Sequence, residues 1–249
     1  MTVRVPRPMS SVQRARALEG LRTRSVNFTE DEPHSSAGEW YFDTHRVFLA
    51  SEAPGIPEPG GAWDIASALV RDYEFSDPDR VRAVYDSRDE LLGRNMLLEG
   101  RFYGLRFDMG VRVTVVVDET REGGSRVWGW GYETLVGHLE RGRMTYEVVK
   151  DMGSGEVEFV ITGFSQSAPA LDPVLRLGWR LFGRATQLAF YRRCGRRMHE
   201  LVRARLANGR GVAPERRHDA LLLAPSDARP GPLERIALRI DHPSSGRER

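Results

Sequence analysis

An α+β fold is predicted, a curved antiparallel sheet with short helices before it and one long C-terminal helix over it. Two observations in the 249-residue chain carry this. Between Leu91 and Gln166, apolar and polar residues alternate in period two, in runs separated by glycine-bearing turns such as "TREGGS" and "DMGSG". Beyond them, "LDPVLRLGWRLFGRATQLAFYRRCGRRMHELVRARL" switches to apolar residues at near-helical spacing.

Taken in order, residues 1–38 lack periodicity, shift from basic "RARALEGLRTR" to acidic "TEDEPHSSAG", and are expected to form a weakly ordered lead-in. "EWYFDTHRVFLA" has the aromatic and β-branched content of a strand, and the prolines and glycines of "SEAPGIPEPGGAW" mark a loop. A helix suits "WDIASALVRDYEF". "SDPDRVRAVYD" reads as a second helix start, with a serine or aspartate cap and a proline in the first turn.

The strands then follow as "NMLLEGRF", "GVRVTVVVDE", "RVWGWGYETL", "RMTYEVVKD" and "EVEFVITGFSQ". Val111, Val113, Val115 and Val117 are expected on one face, with Arg112 and Thr114 on the other. In the long helix Asp172 caps and Pro173 opens the first turn. Leu177, Leu181, Ala185, Leu188, Tyr191, Met198 and Val202 form its apolar stripe, and Arg180, Arg184, Arg193, Arg196 and Arg197 another face.

Residues 207–249 carry five prolines, with "ALLLA" and "RIALRI" as apolar islands, and are expected to be a flexible tail. Residues 39–206 remain as the domain. A long amphipathic helix across a strongly curved sheet covers its concave face and leaves a cavity between them. That is the helix-grip arrangement of START-like and Bet v 1-like proteins.

Composition narrows the class. The hydrophobic content of 40% suits a globular chain, and no apolar run approaches the ~20 residues that span a membrane. The first residues hold no hydrophobic signal region, so a cytoplasmic protein is expected. Cys194 is the only cysteine, which excludes an intramolecular disulfide and a multi-cysteine zinc site. All but one of the 37 basic residues are arginine, Lys150 being the exception, yet the net charge of +2 gives no support to nucleic-acid binding.

The segment "YETLVGHLERGRMTYEVV", with "GEVEFVITGFSQSA" and "RLGWRLFGRATQLAFYRRCGRRM" after it, resembles the family called domain of unknown function nineteen-ninety. Its signature falls here on Tyr132, Thr134, Leu135, Gly137, His138, Glu140 and Gly142, and "DYEFSDPDRVRAVYD" and "LLGRNMLLEGRFYGLRF" look like its actinobacterial branch. The resemblance runs roughly from Trp40 to Leu206. It implies the helix-grip fold and no established activity.

"VWGWGYETLVGHLERG" is the candidate site. In a strand Trp128, Trp130 and Tyr132 share one face, and the bare Gly129 and Gly131 on the other admit a close backbone or ligand. The rings either line a cavity or fill the core. His138, Glu140 and Tyr132 can supply a base, an acid and an orienting hydroxyl; equally, the histidine can bond the loop backbone and the glutamate join a surface pair. Glu99 and Arg101 share a strand face, pairing in the cavity or facing solvent. Leu181, Leu188 and Tyr191 are expected to roof the pocket.

The other histidines are scattered without ligand spacing, so no metal is expected, and no phosphate loop or dinucleotide fingerprint implies a cofactor. Three functions stand. The first is binding of a lipid-, polyketide- or aromatic-like hydrophobic small molecule. The second is a cyclase or lyase using His138 and Glu140 in the same cavity. The third is a non-catalytic protein-interaction module docking through the basic helix or the tails.

Overall fold

The structure is a computed structural model and describes residues 3–4, 9–34, 39–102, 105–167, 184–209, 213–227 and 238–240. Its elements are β1 (Val3–Arg4), α1 (Ser11–Glu19), a 3-10 turn (Glu32–His34), β2 (Tyr41–Ser51), α2 (Ala62–Arg71), β3 (Val81–Asp86), β4 (Asn95–Phe102), β5 (Leu105–Arg121), β6 (Ser125–Thr134), β7 (Glu140–Asp151) and β8 (Glu156–Ser167). The long helix α3 (Arg184–Asn208) follows, then β9 (Glu215–His218), β10 (Leu221–Ala224) and β11 (Leu238–Ile240). The sheet runs in the order β2-β8-β7-β6-β5-β4-β3-β10-β9, with antiparallel neighbours throughout. β11 joins β5 in parallel and β1 in antiparallel register.

The concave face holds the main core. α2 buries Trp63, Ala66, Leu69 and Val70 on it, and α3 buries Tyr191, Cys194, Met198 and Val202, each set at helical spacing. Gly195 brings α3 close to β2, because a Cβ there would sit 2.4 Å from Val47 Cγ2. The result is the helix-grip α+β fold that the element order predicts.

The single lysine anchors this arrangement. Lys150 is fully buried, its Nζ donating to Glu52 Oε2 at 2.7 Å and to the Ile56 carbonyl at 3.0 Å. Glu52 also accepts from the Trp63 and Glu58 amides, which caps α2 in place of a side chain at Gly61. One buried ion pair thus ties the proline-rich loop and the start of α2 to β7. Burial pushes the Glu52 carboxyl up, but the bonds from Lys150, Trp63 and Glu58 prevail and hold it below the usual range.

Three expectations are corrected. "VRAVYD" is the strand β3 rather than a helix, lying between β4 and β10 with all six residues buried. Val81, Ala83 and Tyr85 face the main core, while Val84 joins a second cluster on the convex side. A strand covered on both faces loses its period-two signature. In β5, a bulge between Val113 and Val115 reverses the alternation. Val111 and Val113 stay in the concave core, whereas Val117 packs with Val127, Val149 and Val160 on the convex side.

The ends also differ from expectation within the described residues. α1 starts with a capping box between Ser10 and Gln13, and its Leu18, with Met9 and Leu21, packs on Leu97, Leu221 and Leu223. β10 lengthens the sheet beside β3, and Leu238–Ile240 of "RIALRI" pairs with β5. Apolar islands too short to read as elements become strands when an open sheet edge offers partners.

Candidate functional site

Along β6 the predicted alternation holds, with Trp128, Trp130 and Tyr132 all in the concave core. The glycine face serves a backbone rather than a ligand. A Cβ at Gly129 would stand 2.2 Å from the Tyr146 carbonyl oxygen of β7.

The two ends of the strand do different things. Trp130 is 1% exposed, donates its indole N–H to the Val70 carbonyl at 2.9 Å, and borders no void. Trp128 lies beneath the Arg71 guanidinium, 4.9 Å from the ring centre, beside α2. Tyr132, two residues on, borders a cavity of ≈ 90 Å³ that also meets Tyr73, Met144, Tyr146, His138, Glu140 and Tyr191. Most of its wall is apolar.

The β6–β7 turn presents the polar groups. Gly137 is left-handed (φ 96°), as the third residue of such a turn requires, and the His138 amide closes it on the Leu135 carbonyl at 2.9 Å. His138 Nδ1 then accepts from the Glu140 amide at 2.9 Å. Nδ1 also lies 3.1 Å from the Glu140 carbonyl; in the arrangement that accepts from the amide the neutral ring carries its proton on Nε2, and burial pushes the imidazole down to about 4. The ring is thus a neutral hydrogen-bond donor.

Glu140 is the opposite case. Burial pushes its carboxyl up to about 8, opposed by Arg184 and reinforced by Asp43. Arg184 itself is held by a two-pronged pair to Asp43, so among the described residues no cation pairs with Glu140. The phenols nearby stay protonated: burial pushes Tyr132 up to about 12 and raises Tyr73, Tyr146 and Tyr191 further. Tyr132 and Tyr146 share a hydroxyl–hydroxyl bond of 3.3 Å, and Tyr191 donates to Met144 Sδ at 3.4 Å.

The structure therefore brings together Tyr132, His138, Glu140 and Tyr191. Trp128 and Trp130 are packed away from the cavity, and Leu188 sits half-buried against the core without bordering it. Leu181 lies outside the described residues. Glu99 and Arg101 do not reach this cavity. They project from the convex face, where Glu99 takes a bidentate pair from Arg14 of α1 at 2.6 and 3.0 Å. The cause is register, since Leu98, the neighbour of Glu99, occupies the concave side and so sends Glu99 and Arg101 to the other. Tyr73, Tyr146, Met144 and Gln187 are among the residues missed, the first because it reads as helix interior in "VRDYEF".

Three arginines of the basic face of α3 pair within the chain, while Arg196 is exposed and Arg180 lies outside the described residues. Arg193 pairs with Asp77 and Arg197 with Asp227, as Arg184 does with Asp43. Among the described residues no helix is long and apolar enough to cross a membrane.

Fold and site together define a helix-grip protein with a small phenol-lined cavity and a half-buried carboxylic acid at its wall. Residues 24–197 match the model described as Domain of unknown function (DUF1990), and the chain belongs to that family. No curated protein matches it. Among solved structures it is similar to the ZhuI aromatase/cyclase from Streptomyces sp. R1128, at 16% identity and a TM-score of 0.47, over 70% of this chain and 100% of that one. A norcoclaurine synthase point mutant of Thalictrum flavum, in complex with a transition-state analogue, is 11% identical with a TM-score of 0.43, over 69% and 99%. A hypothetical protein of Helicobacter pylori is 8% identical with a TM-score of 0.41, over 71% and 95%. With TM-scores this low, the fold rests on the sheet and helices themselves.

Proposed function

We propose that the protein binds a hydrophobic small molecule in the cavity between β6, β7 and α3. The observation that carries this is the Glu140 carboxyl, without a paired cation, on a mostly apolar, phenol-lined wall. Apolar pockets with a few convergent polar groups are the usual ligand sites. Ordinary ligand pockets are about 300–1,000 Å³. A cavity of ≈ 90 Å³ suits a small ring or one end of a longer molecule.

A second reading is favoured by one feature. A carboxylic acid that stays protonated to about pH 8 is poised as a general acid, with the His138 Nε2–H as an orienting donor. A cyclase or lyase would use both.

Native mass spectrometry of protein purified without denaturation tests the first reading. A retained small molecule that Glu140→Gln still holds supports binding. Conversion of that molecule by wild type, lost in Glu140→Gln, supports catalysis. A bare protein mass, with no response of the Tyr132 and Tyr191 resonances to apolar probes, would sink both.

A further inference from the structure

The end of α2 is built in a way that favours glycine and instead holds a tyrosine. The Glu74 amide donates to the Leu69 carbonyl at 3.0 Å and the Tyr73 amide to Val70 at 3.1 Å, the paired bonds of a Schellman motif. Its left-handed position falls on Tyr73, whose φ is 61°. Glycine is the usual occupant, because a Cβ there crowds the neighbouring carbonyl oxygen.

Packing accounts for the ring. It meets Phe75 at 5.0 Å and Trp130 and Tyr146 at 6.0 Å, centre to centre. Packing does not account for the oxygen. The Tyr73 hydroxyl is fully buried on the cavity wall and makes no well-formed hydrogen bond, its neighbours being the Tyr146 and Tyr132 phenols and the Ser76 hydroxyl, which already donates to the Val81 carbonyl. Phenylalanine would fill the same space without stranding a donor.

The surroundings narrow what such a donor awaits. Tyr73, Tyr132 and Tyr146 bring three O–H groups together, and only one hydrogen bond, between Tyr132 and Tyr146, joins them. In this arrangement the Tyr73 O–H points at no acceptor. A ligand hydroxyl could accept from it but would bring a donor of its own that needs a partner in turn. A carboxylate would be desolvated without a counter-ion, because Arg143 and Arg184 are already held by Glu133 and Asp43. A neutral carbonyl oxygen, which accepts and does not donate, fits.

We propose that Tyr73 recognises a ketone-type carbonyl on the apolar ligand of this cavity, its hydroxyl left unpartnered and its backbone left-handed in order to present it. This rests on the cavity-binding reading above. Ligand-free protein therefore carries a cost at Tyr73 that the ligand relieves, which is how stability is traded for recognition at binding sites.

Cyclohexanone and methylenecyclohexane, the same shape with and without the oxygen, are titrated into wild type and Tyr73→Phe and followed by NMR. Ligand-free melting is recorded alongside. Wild type should bind the ketone about ten-fold more tightly, as one added hydrogen bond allows. Tyr73→Phe should bind the two alike and, ligand-free, melt about 2–4 °C higher. Tyr132→Phe, which strips Tyr146 of its partner, should melt lower. If Tyr73→Phe keeps the ketone preference or melts lower, the hydroxyl already has its partner, and this inference falls while the cavity reading stands. If neither compound binds wild type, both fall together.

Discussion

The two ends of the concave interior differ although one strand, β6, serves both. Under α2, Trp130 is packed against helix side chains and a carbonyl, while Trp128 lies at the rim under Arg71, beside an open surface hollow. Under α3, Tyr132 and the β6–β7 turn meet phenols and an unpaired carboxyl around a void. Equal spacing along a strand gives equal facing and says nothing about filling. What lies opposite decides between core and cavity.

The sharpest test of the packed end is Trp130→Ala. It should cost about 3–5 kcal/mol of stability in denaturant unfolding, as large-to-small core changes do. It should spare ketone discrimination, because the ring lies outside the cavity wall. Loss of discrimination in protein that is still folded would merge the two ends into one site.

Lys150→Ala attacks the same end from its anchor. Glu52 would be left buried without its cation, a loss of about 3–5 kcal/mol for a broken buried pair. Lys150→Met with Glu52→Gln should recover most of it, since the double change removes both charges. Failure to recover would show that the bonds to Ile56 and Trp63, rather than the ion pair, hold the loop.

The packed end was more legible in sequence than the open one. Alternation in "VWGWGYET" fixed which residues turn inward, and the helical stripe of "AFYRRCGRRMHELV" placed Tyr191 over the sheet. The spacing puts Glu99 and Arg101 on a shared face but leaves open whether it is the cavity or the outer side, because spacing gives faces and not which face is concave. Tyr73 was hidden, since nothing local marks a tyrosine that will take a left-handed conformation where glycine is the rule. The bulge in β5 was hidden for a related reason: a run of valines has no residue that marks where the pairing slips.

The open end should announce itself in pH. Glu140 titrates near the usual 4.5 when unfolded and about 8 when folded, so the folded state keeps its proton longer. Its contribution is complete below about pH 4.5 and is lost as pH rises to 8. His138 runs the other way, from 6.5 down to about 4, with its contribution complete above 6.5 and lost as pH falls. The two offset each other between about 4.5 and 6.5, leaving a decline from 6.5 to 8. Glu140→Gln should flatten that decline in melting curves taken across the range. An unchanged decline would mean that Glu140 is not the group responsible.

The smallest effect separates the turn from the ligand. His138 Nδ1 satisfies the Glu140 amide, so His138→Ala leaves that N–H without its acceptor and should cost about 1–3 kcal/mol. His138→Asn can place an amide oxygen near the same point and restore the bond, so its stability should return towards wild type. The ring's Nε2–H is not restored by that oxygen. If the imidazole only holds the turn, His138→Asn will match wild type in stability and in cyclohexanone affinity. If Nε2–H also reaches the ligand, His138→Asn will be stable yet bind severalfold more weakly. The second outcome is the one expected here, because a ring whose Nδ1 accepts from the Glu140 amide has Nε2–H as its remaining polar group, a donor beside a cavity proposed to take an acceptor.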